Sequence, residues 1–459
     1  MFNDTIGAIS TARGKGGVAL IRISGDGALS ALNKIFVLSS GKALSSPEPR
    51  RCYYGSVLRE GIELDDVTVT YFKAPASYTG EDVVEICCHG GIYVTSAVLE
   101  LVLSSGARLA EAGEFTRRAY INGKLTLTRA EAVGQVIDAT NDAQLRLGSS
   151  ARRGLLSAEL DRIKGEMLSL IARSYVIVDY PDEELPEVER AEMAKQLDDI
   201  YTALEKLKKT YRATRAVCEG VKTAIVGRPN AGKSSLYNAL SGEELAIVTD
   251  IAGTTRDIIE HTVSVGDVTL RLADTAGIRD TADTVEKIGV ERARERMAQS
   301  ELVLSVFDWA QEENNEDLEI LEALSGISAI AIINKTDSAR KMSEEFEQKI
   351  KKTVPRVVYL SARDGDGLDT LAGTLSEMYN LDEINLSSDA LISNARQASS
   401  LSLTLDKVSE ARELLALGES ADIVCFALEG ALSSLEEIDA RGISEQIVNQ
   451  IFSRFCVGK

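Results

Sequence analysis

The sequence predicts a multidomain chain of the α/β and α classes. Residues 1–120 read as an α+β domain. Residues 121–219 and 379–459 read as two segments of one helical domain. Residues 220–378 read as an α/β domain inserted between them, with a mostly parallel sheet and helices on both faces. Three observations carry this reading. Period-two alternation and turn signals fill the first stretch. Helical periodicity fills about 126–216 and returns at about 390–455. Between these lie short apolar strands, each followed by a polar loop. Two independent helical domains flanking a compact one are the alternative to an insertion.

In the first part, Gly16-Gly17-Val18 through Ser24 is a turn entering a strand. Val67-Thr68-Val69-Thr70-Tyr71 alternates as a half-buried strand does, and Glu81 to Ile86 is a further strand ended by His89-Gly90-Gly91. A helix is expected over Val94 to Leu103. In the helical part, Thr128 with Glu131 three residues on is a capping box at a helix start. The pattern through Ala132, Val136, Leu145, Leu155, Leu160 and Ile163 breaks near Asp179-Tyr180-Pro181-Asp182. A second helix is expected from Glu187 to about Arg212.

The third part opens with a strand, Lys222 to Val226, then Gly227-Arg228-Pro229-Asn230-Ala231-Gly232-Lys233-Ser234, then a helix starting at Lys233. This spacing is that of a phosphate-binding loop. Glycines turn N–H groups toward a phosphate, and the helix N-terminus adds its own. Lys233 suits the β- and γ-phosphates and Ser234 suits Mg²⁺, with Ser235 following. Asp274-Thr275-Ala276-Gly277 follows the strand Val268 to Leu272; its Asp suits the metal through water and its Gly amide the γ-phosphate. Asn334-Lys335-Thr336-Asp337 follows the strand Ala329 to Ile333, and a carboxylate there can accept from both N1–H and the 2-amino group of guanine. Ser361-Ala362-Arg363 follows the strand Arg356 to Leu360 and suits a backbone N–H donated to guanine O6. The ordered set resembles the Ras-like P-loop GTPases, with GTP as the expected ligand.

The chain has 459 residues, with 51 basic against 71 acidic, for a formal charge of −20. That argues against broad electrostatic coating of nucleic acid, although a local basic patch remains open. No apolar run reaches the roughly 20 residues that span a membrane. The Met1-Phe2-Asn3-Asp4-Thr5 start has no signal-peptide pattern, so a cytoplasmic chain is expected. Six cysteines without zinc spacing suit reduced thiols.

Four further groups carry a closer resemblance. They are Gly16-Gly17-Val18 through Arg22-Ile23-Ser24-Gly25, Tyr78-Thr79-Gly80-Glu81-Asp82 through Cys88-His89-Gly90-Gly91, Gly113-Glu114-Phe115-Thr116-Arg117-Arg118-Ala119 through Asn122-Gly123-Lys124, and the terminal Cys456-Val457-Gly458-Lys459. With them the whole chain resembles the MnmE (TrmE) family of tRNA modification GTPases. The resemblance implies an N-terminal domain that dimerises and binds a tetrahydrofolate derivative, 5-formyl- or methylene-tetrahydrofolate, through positions matching Arg22, Glu85, Lys124 and Lys459. A carboxylate such as Glu85 could read a pterin amide edge, and cations could neutralise the glutamate tail. Read alone, without the resemblance, Arg22, Glu85 and Lys124 are surface charges. Cys456 is either a nucleophile or a small packed residue. His89 lines the same cleft or packs at its turn, and Cys87-Cys88 make a poor zinc site.

Ile278 follows Gly277 where Ras-like enzymes carry a water-orienting Gln, which an apolar side chain cannot replace. The resemblance implies that Glu286 orients the water; otherwise it is an exposed helix-start glutamate. It also implies a K⁺ ion that offsets transition-state charge, held by positions matching Asn230, Thr249, Ile251 and Thr254. Thr255 matches the switch residue that reaches Mg²⁺, and Arg256 is read as a switch residue before a finger. The implied reaction adds an aminomethyl-type group at C5 of the wobble uridine of tRNA, with a FAD-dependent MnmG partner in a heterotetramer or larger complex. Gln397 stands where many members have His after Arg396, so a role for that His does not transfer. A ribosome-assembly GTPase and a dynamin-like scaffold are the rivals.

Overall fold

A computed structural model describes residues 4–179, 187–242, 261–272, 294–439, 445–453 and 455–458. The chain forms two compact units, residues 1–134 with 433–459, and residues 135–432.

The first unit is built on a seven-stranded sheet. Its strands are β1 (Ile6–Ile9), β2 (Val18–Ser24), β3 (Phe36–Leu38), β4 (Cys52–Arg59), β5 (Ile62–Phe72), β6 (Val83–His89) and β7 (Arg108–Leu109), in the order β3-β4-β5-β6-β2-β1-β7. All neighbours are antiparallel except β1 and β7. Strand alternation sorts the two faces. Ala19, Ile21 and Ile23 oppose Cys88, Ile86 and Val84, and share a core with Val98 and Val102 of helix α2 (Ile92–Ser104), the second helix after α1 (Ala28–Asn33). The other face carries Arg22 opposite Glu85, with Ala8 on the far side of Arg22. There Ile6 and Ala8 pack with Ala110, Tyr78 and Phe115, the last from α3 (Glu114–Ile121).

Helix α4 spans Leu127–Asp138, so Thr128 lies inside its first turn rather than at its cap. Thr126 takes the capping position, its hydroxyl accepting from Arg129 N–H, while the Thr128 hydroxyl donates to Asp439.

In the second unit, β8 (Val221–Val226), β9 (His261–Val265), β10 (Val268–Leu272), β11 (Leu302–Asp308), β12 (Ala329–Asn334) and β13 (Val357–Leu360) form a sheet in the order β13-β12-β11-β8-β10-β9. Only β9 runs antiparallel to its neighbour. The strands β11 and β12 are buried throughout, as both-face coverage requires. The helices before β8 are α5 (Asp142–Arg153), α6 (Leu155–Asp179) and α7 (Glu187–Cys218). Those after it are α8 (Lys233–Leu240), α9 (Asn315–Ala323), α10 (Glu344–Thr353), α11 (Leu368–Met378), α12 (Ala395–Leu417) and α13 (Ala421–Ile438). Helices α8 and α11 cover one face of the sheet, α9 and α10 the other. Helix α7 runs past Arg212 because Ala213, Ala216 and Val217 extend its buried stripe. It lies against α12, with Asp198 paired to Arg412. The break expected near residues 180–182 falls outside the described residues.

Candidate functional site

Strand β8 delivers Gly227 into the loop at φ +154°, where a Cβ would stand 2.5 Å from the Val306 carbonyl oxygen. Gly232 ends the loop at φ +102°, where a Cβ would stand 2.1 Å from Asn334 Nδ2. Only glycine fits either place. Asn230 between them also has a left-handed backbone, φ +60°. No side-chain hydrogen bond from the N-cap Gly232 closes the N-terminus of α8, whose first turn holds Lys233, Ser234 and Ser235, and a helix N-terminus carries partial positive charge that suits an anion.

Lys233 Nζ donates to the carbonyls of Gly227 and Arg228, both at 2.8 Å, and its burial lowers its pKa. Arg228 is buried and pairs with Asp317 at 2.9 Å. Burial pushes the Asp317 carboxyl up, against the pull of the Asn314 N–H and Arg228.

The Asn334 motif meets this loop directly. Asn334 Nδ2 donates to the Ala231 carbonyl at 3.1 Å, and Asn334 Oδ1 accepts from Ala362 N–H at 3.0 Å. Lys335, at φ +67°, donates to the Asn230 carbonyl at 2.8 Å and to Asp308 at 2.6 Å. Ser361 Oγ donates to exposed Asp337 at 2.9 Å, which holds that carboxyl low, and the Arg363 charge lowers it further. Three of the four expected guanine-nucleotide segments thus converge. Thr249, Ile251, Thr254, Thr255, Arg256, Asp274, Thr275, Ala276, Gly277 and Glu286 lie outside the described residues, as does Lys459. Sequence reasoning missed Asp308 and the Arg228–Asp317 pair. The signal for Asp308 is an acid closing the apolar run Leu302 to Phe307.

A second cluster lies on the first unit. Arg22 Nε and Nη2 donate to Glu85 Oε1 at 2.9 and 2.7 Å, and the guanidinium lies 5.5 and 5.7 Å from the ring centres of Tyr78 and Phe115. Lys124 does not join this pair; its Nζ donates to the Pro75 carbonyl at 2.9 Å. The loop Tyr78 to Asp82 is fixed from below. Ser24 bonds Thr79 and Glu81, both at 2.7 Å, and Asn122 donates to the Thr79 carbonyl at 2.7 Å. Fully buried Arg118 bridges Glu81, Glu114 and Asp4. Burial pushes Glu114 up, but hydrogen bonds from Arg108, the Glu111 N–H and Arg118 prevail and bring it down to about 2.

The C-terminal tail docks here. Val457 bridges Ala112, the Cys456 carbonyl accepts from Gly113 N–H at 3.3 Å, and the Gly458 carbonyl accepts from Ser10 Oγ at 2.9 Å. Gly458 has φ +97°, and a Cβ there would stand 2.1 Å from the Ile9 carbonyl oxygen. The Cys456 thiol is exposed. His89 turns to Asp65, with Nδ1 at 2.7 Å from Oδ1, rather than to Arg22 and Glu85. Cys88 is buried, and burial pushes its thiol up to about 11.

The parallel sheet, the glycine-bounded loop and the Asn334 motif define a P-loop GTPase. Residues 5–124 match the family described as GTP-binding protein TrmE N-terminus, and residues 127–456 match the MnmE helical domain. A tRNA modification GTPase MnmE of Carboxydothermus hydrogenoformans is 40% identical, with 100% of each chain covered. Proteins of the same description from Clostridioides difficile (39%, 100% of each chain) and Porphyromonas gingivalis (38%, 100% of this chain and 99% of the other) are similar over the same extent. The chain belongs to the MnmE family of tRNA modification GTPases.

Proposed function

We propose that this chain runs a K⁺-dependent GTPase cycle and, with a FAD-dependent partner of the MnmG kind, modifies C5 of the wobble uridine of certain tRNAs. The product carries an aminomethyl or carboxymethylaminomethyl group. A tetrahydrofolate derivative supplies the one-carbon unit when bound. The chain works in the cytoplasm as a homodimer, in a heterotetramer or larger complex with its partner. Its helical domain is built from segments on either side of the GTPase segment, a reading supported by the packing of α7 on α12.

The observation that carries this reading is the docking of the tail, with Cys456 and Val457 at Gly113 and Ala112 and Gly458 at Ile9-Ser10, next along from Ala8, the register partner of Arg22. A carboxylate held in place by Arg22 beside two aromatic rings suits a pterin, and the resemblance assigns Lys124 and Lys459 to its anionic tail. Glu85 reads the amide edge, and the exposed thiol of Cys456 acts as a nucleophile.

In the nucleotide site, Lys233 exchanges two carbonyl partners for phosphate oxygens. Asp337 reads N1–H and the 2-amino group, flanked by Ser361, Ala362 and Arg363. Ser234 and Thr255 hold Mg²⁺, with Asp274 to Gly277 on the γ-phosphate side. Asn230, Thr249, Ile251 and Thr254 offer the oxygens that K⁺ takes, and Glu286 orients the water.

The test is mass spectrometry of tRNA nucleosides from cells lacking this chain. C5-aminomethyl-type wobble uridines are expected to vanish, to return with the intact gene, and to stay absent with a copy truncated before Cys456. An unchanged nucleoside profile in the deletion contradicts the reading.

A further inference from the structure

Asp308 closes β11 with its carboxylate fully out of solvent, yet it belongs to none of the GTPase motifs. A buried carboxylate needs a charge partner and donors. Lys335 Nζ supplies the first at 2.6 Å, and Ala310 N–H is a donor at 2.9 Å. The same Nζ donates to the Asn230 carbonyl at 2.8 Å. One ammonium is therefore clamped between the end of β11 and the phosphate loop. It joins two non-glycine residues, Lys335 and Asn230, that both have left-handed backbones, at φ +67° and +60°. Strand β12 is tied at the same level, because Trp309 N–H donates to the Asn334 carbonyl at 2.9 Å. On the loop's other flank, Arg228 is held by Asp317.

We propose that Asp308 is a positioning residue of the nucleotide site: through Lys335 it fixes the Asn230 segment of the phosphate loop and sets guanine-nucleotide affinity. Lys335 has three donors on a flexible stem, so a carbonyl alone does not orient it. The buried carboxylate supplies the orientation. Lys335 then holds the loop open to phosphate while its stem flanks the base. The role rests on the guanine reading of Asp337 proposed above.

The test uses the full chain and fluorescently labelled GDP and ADP. For Asp308→Asn, the Kd for GDP is expected to rise about 10- to 100-fold, the loss of one charge-assisted bond, with labelled GDP released faster. At saturating GTP, kcat is expected to fall less than about threefold, a split that a general loss of folded protein does not produce. Lys335→Met and the double variant Asp308→Asn/Lys335→Met are expected to bind GDP equally weakly, because Asp308 acts through Lys335. The double variant buries no unpaired charge and keeps the test open if Asp308→Asn alone does not fold. GDP affinity of Asp308→Asn equal to the wild type, or additive losses in the double variant, overturns the role of Asp308 alone. A wild-type chain that holds GDP and ADP equally overturns the guanine reading and this role with it.

Discussion

In the phosphate loop the fold is held by side chains donating to backbone carbonyls; around Arg22 and Glu85 it is held by charged side chains on one another. Lys233, Asn334 and Lys335 take up the carbonyls of Gly227, Arg228, Ala231 and Asn230. Such a loop presents N–H groups to an anion because its carbonyls are already engaged. In the first unit, Arg108 and Arg118 face Asp4, Glu81 and Glu114 with the arginine of the second pair fully buried. The loop is therefore sensitive to added volume, and the cluster to lost charge.

The largest effect is expected at Arg118. Arg118→Met removes the buried cation from Glu81 and leaves Asp4 and Glu114 to Arg108 alone, and a loss of about 3–5 kcal/mol is expected. Thermal unfolding checks this, and GDP affinity in the protein that remains folded is expected to stay within about twofold. Acid comes next. Glu114 is lowered from 4.5 to about 2, so its contribution is complete above pH 4.5 and is lost as pH falls toward 2. That contribution is about 3 kcal/mol, and Arg118→Met is expected to flatten the acid limb of the stability curve.

Gly232→Ala is the converse. A Cβ at 2.1 Å from Asn334 Nδ2 is expected to raise the Kd for GDP about 100-fold while costing about 2 kcal/mol of stability. Gly458→Ala meets the Ile9 carbonyl, so it is expected to free the tail at a cost of about 1–2 kcal/mol, seen as faster C-terminal proteolysis with unchanged GTP turnover. The smallest effect is at His89. Asp65 raises its pKa, so the pair stabilises below the ordinary histidine value and its effect fades as pH rises through the raised one. The difference in Tm between wild type and His89→Gln is expected to be small at pH 5 and absent by about pH 9.

The loop was legible because its signal is local: an apolar strand, glycines at set offsets and a helix follow within a few residues. The positions of Asp337, Ser361 and Ala362 after strand ends were legible for the same reason, each trailing an apolar strand. The pairing of Arg22 with Glu85 was not, because it depends on the register of β2 against β6, which is tertiary. The bond from Lys124 Nζ to the Pro75 carbonyl is equally tertiary and has no sequence signal. The capping position slipped from Thr128 to Thr126 because Asp439, far along the chain, takes the Thr128 hydroxyl. Asp308 was missed because its partner Lys335 reads in sequence as part of a motif of its own.

The most direct test of the account is titration of 5-formyl-tetrahydrofolate into the full chain by calorimetry, alongside Glu85→Gln and Lys233→Ala. Saturable binding is expected for wild type and for Lys233→Ala, and loss of binding for folded Glu85→Gln. Absence of binding by the folded wild type, or a Glu85→Gln chain that binds as tightly as wild type, contradicts it.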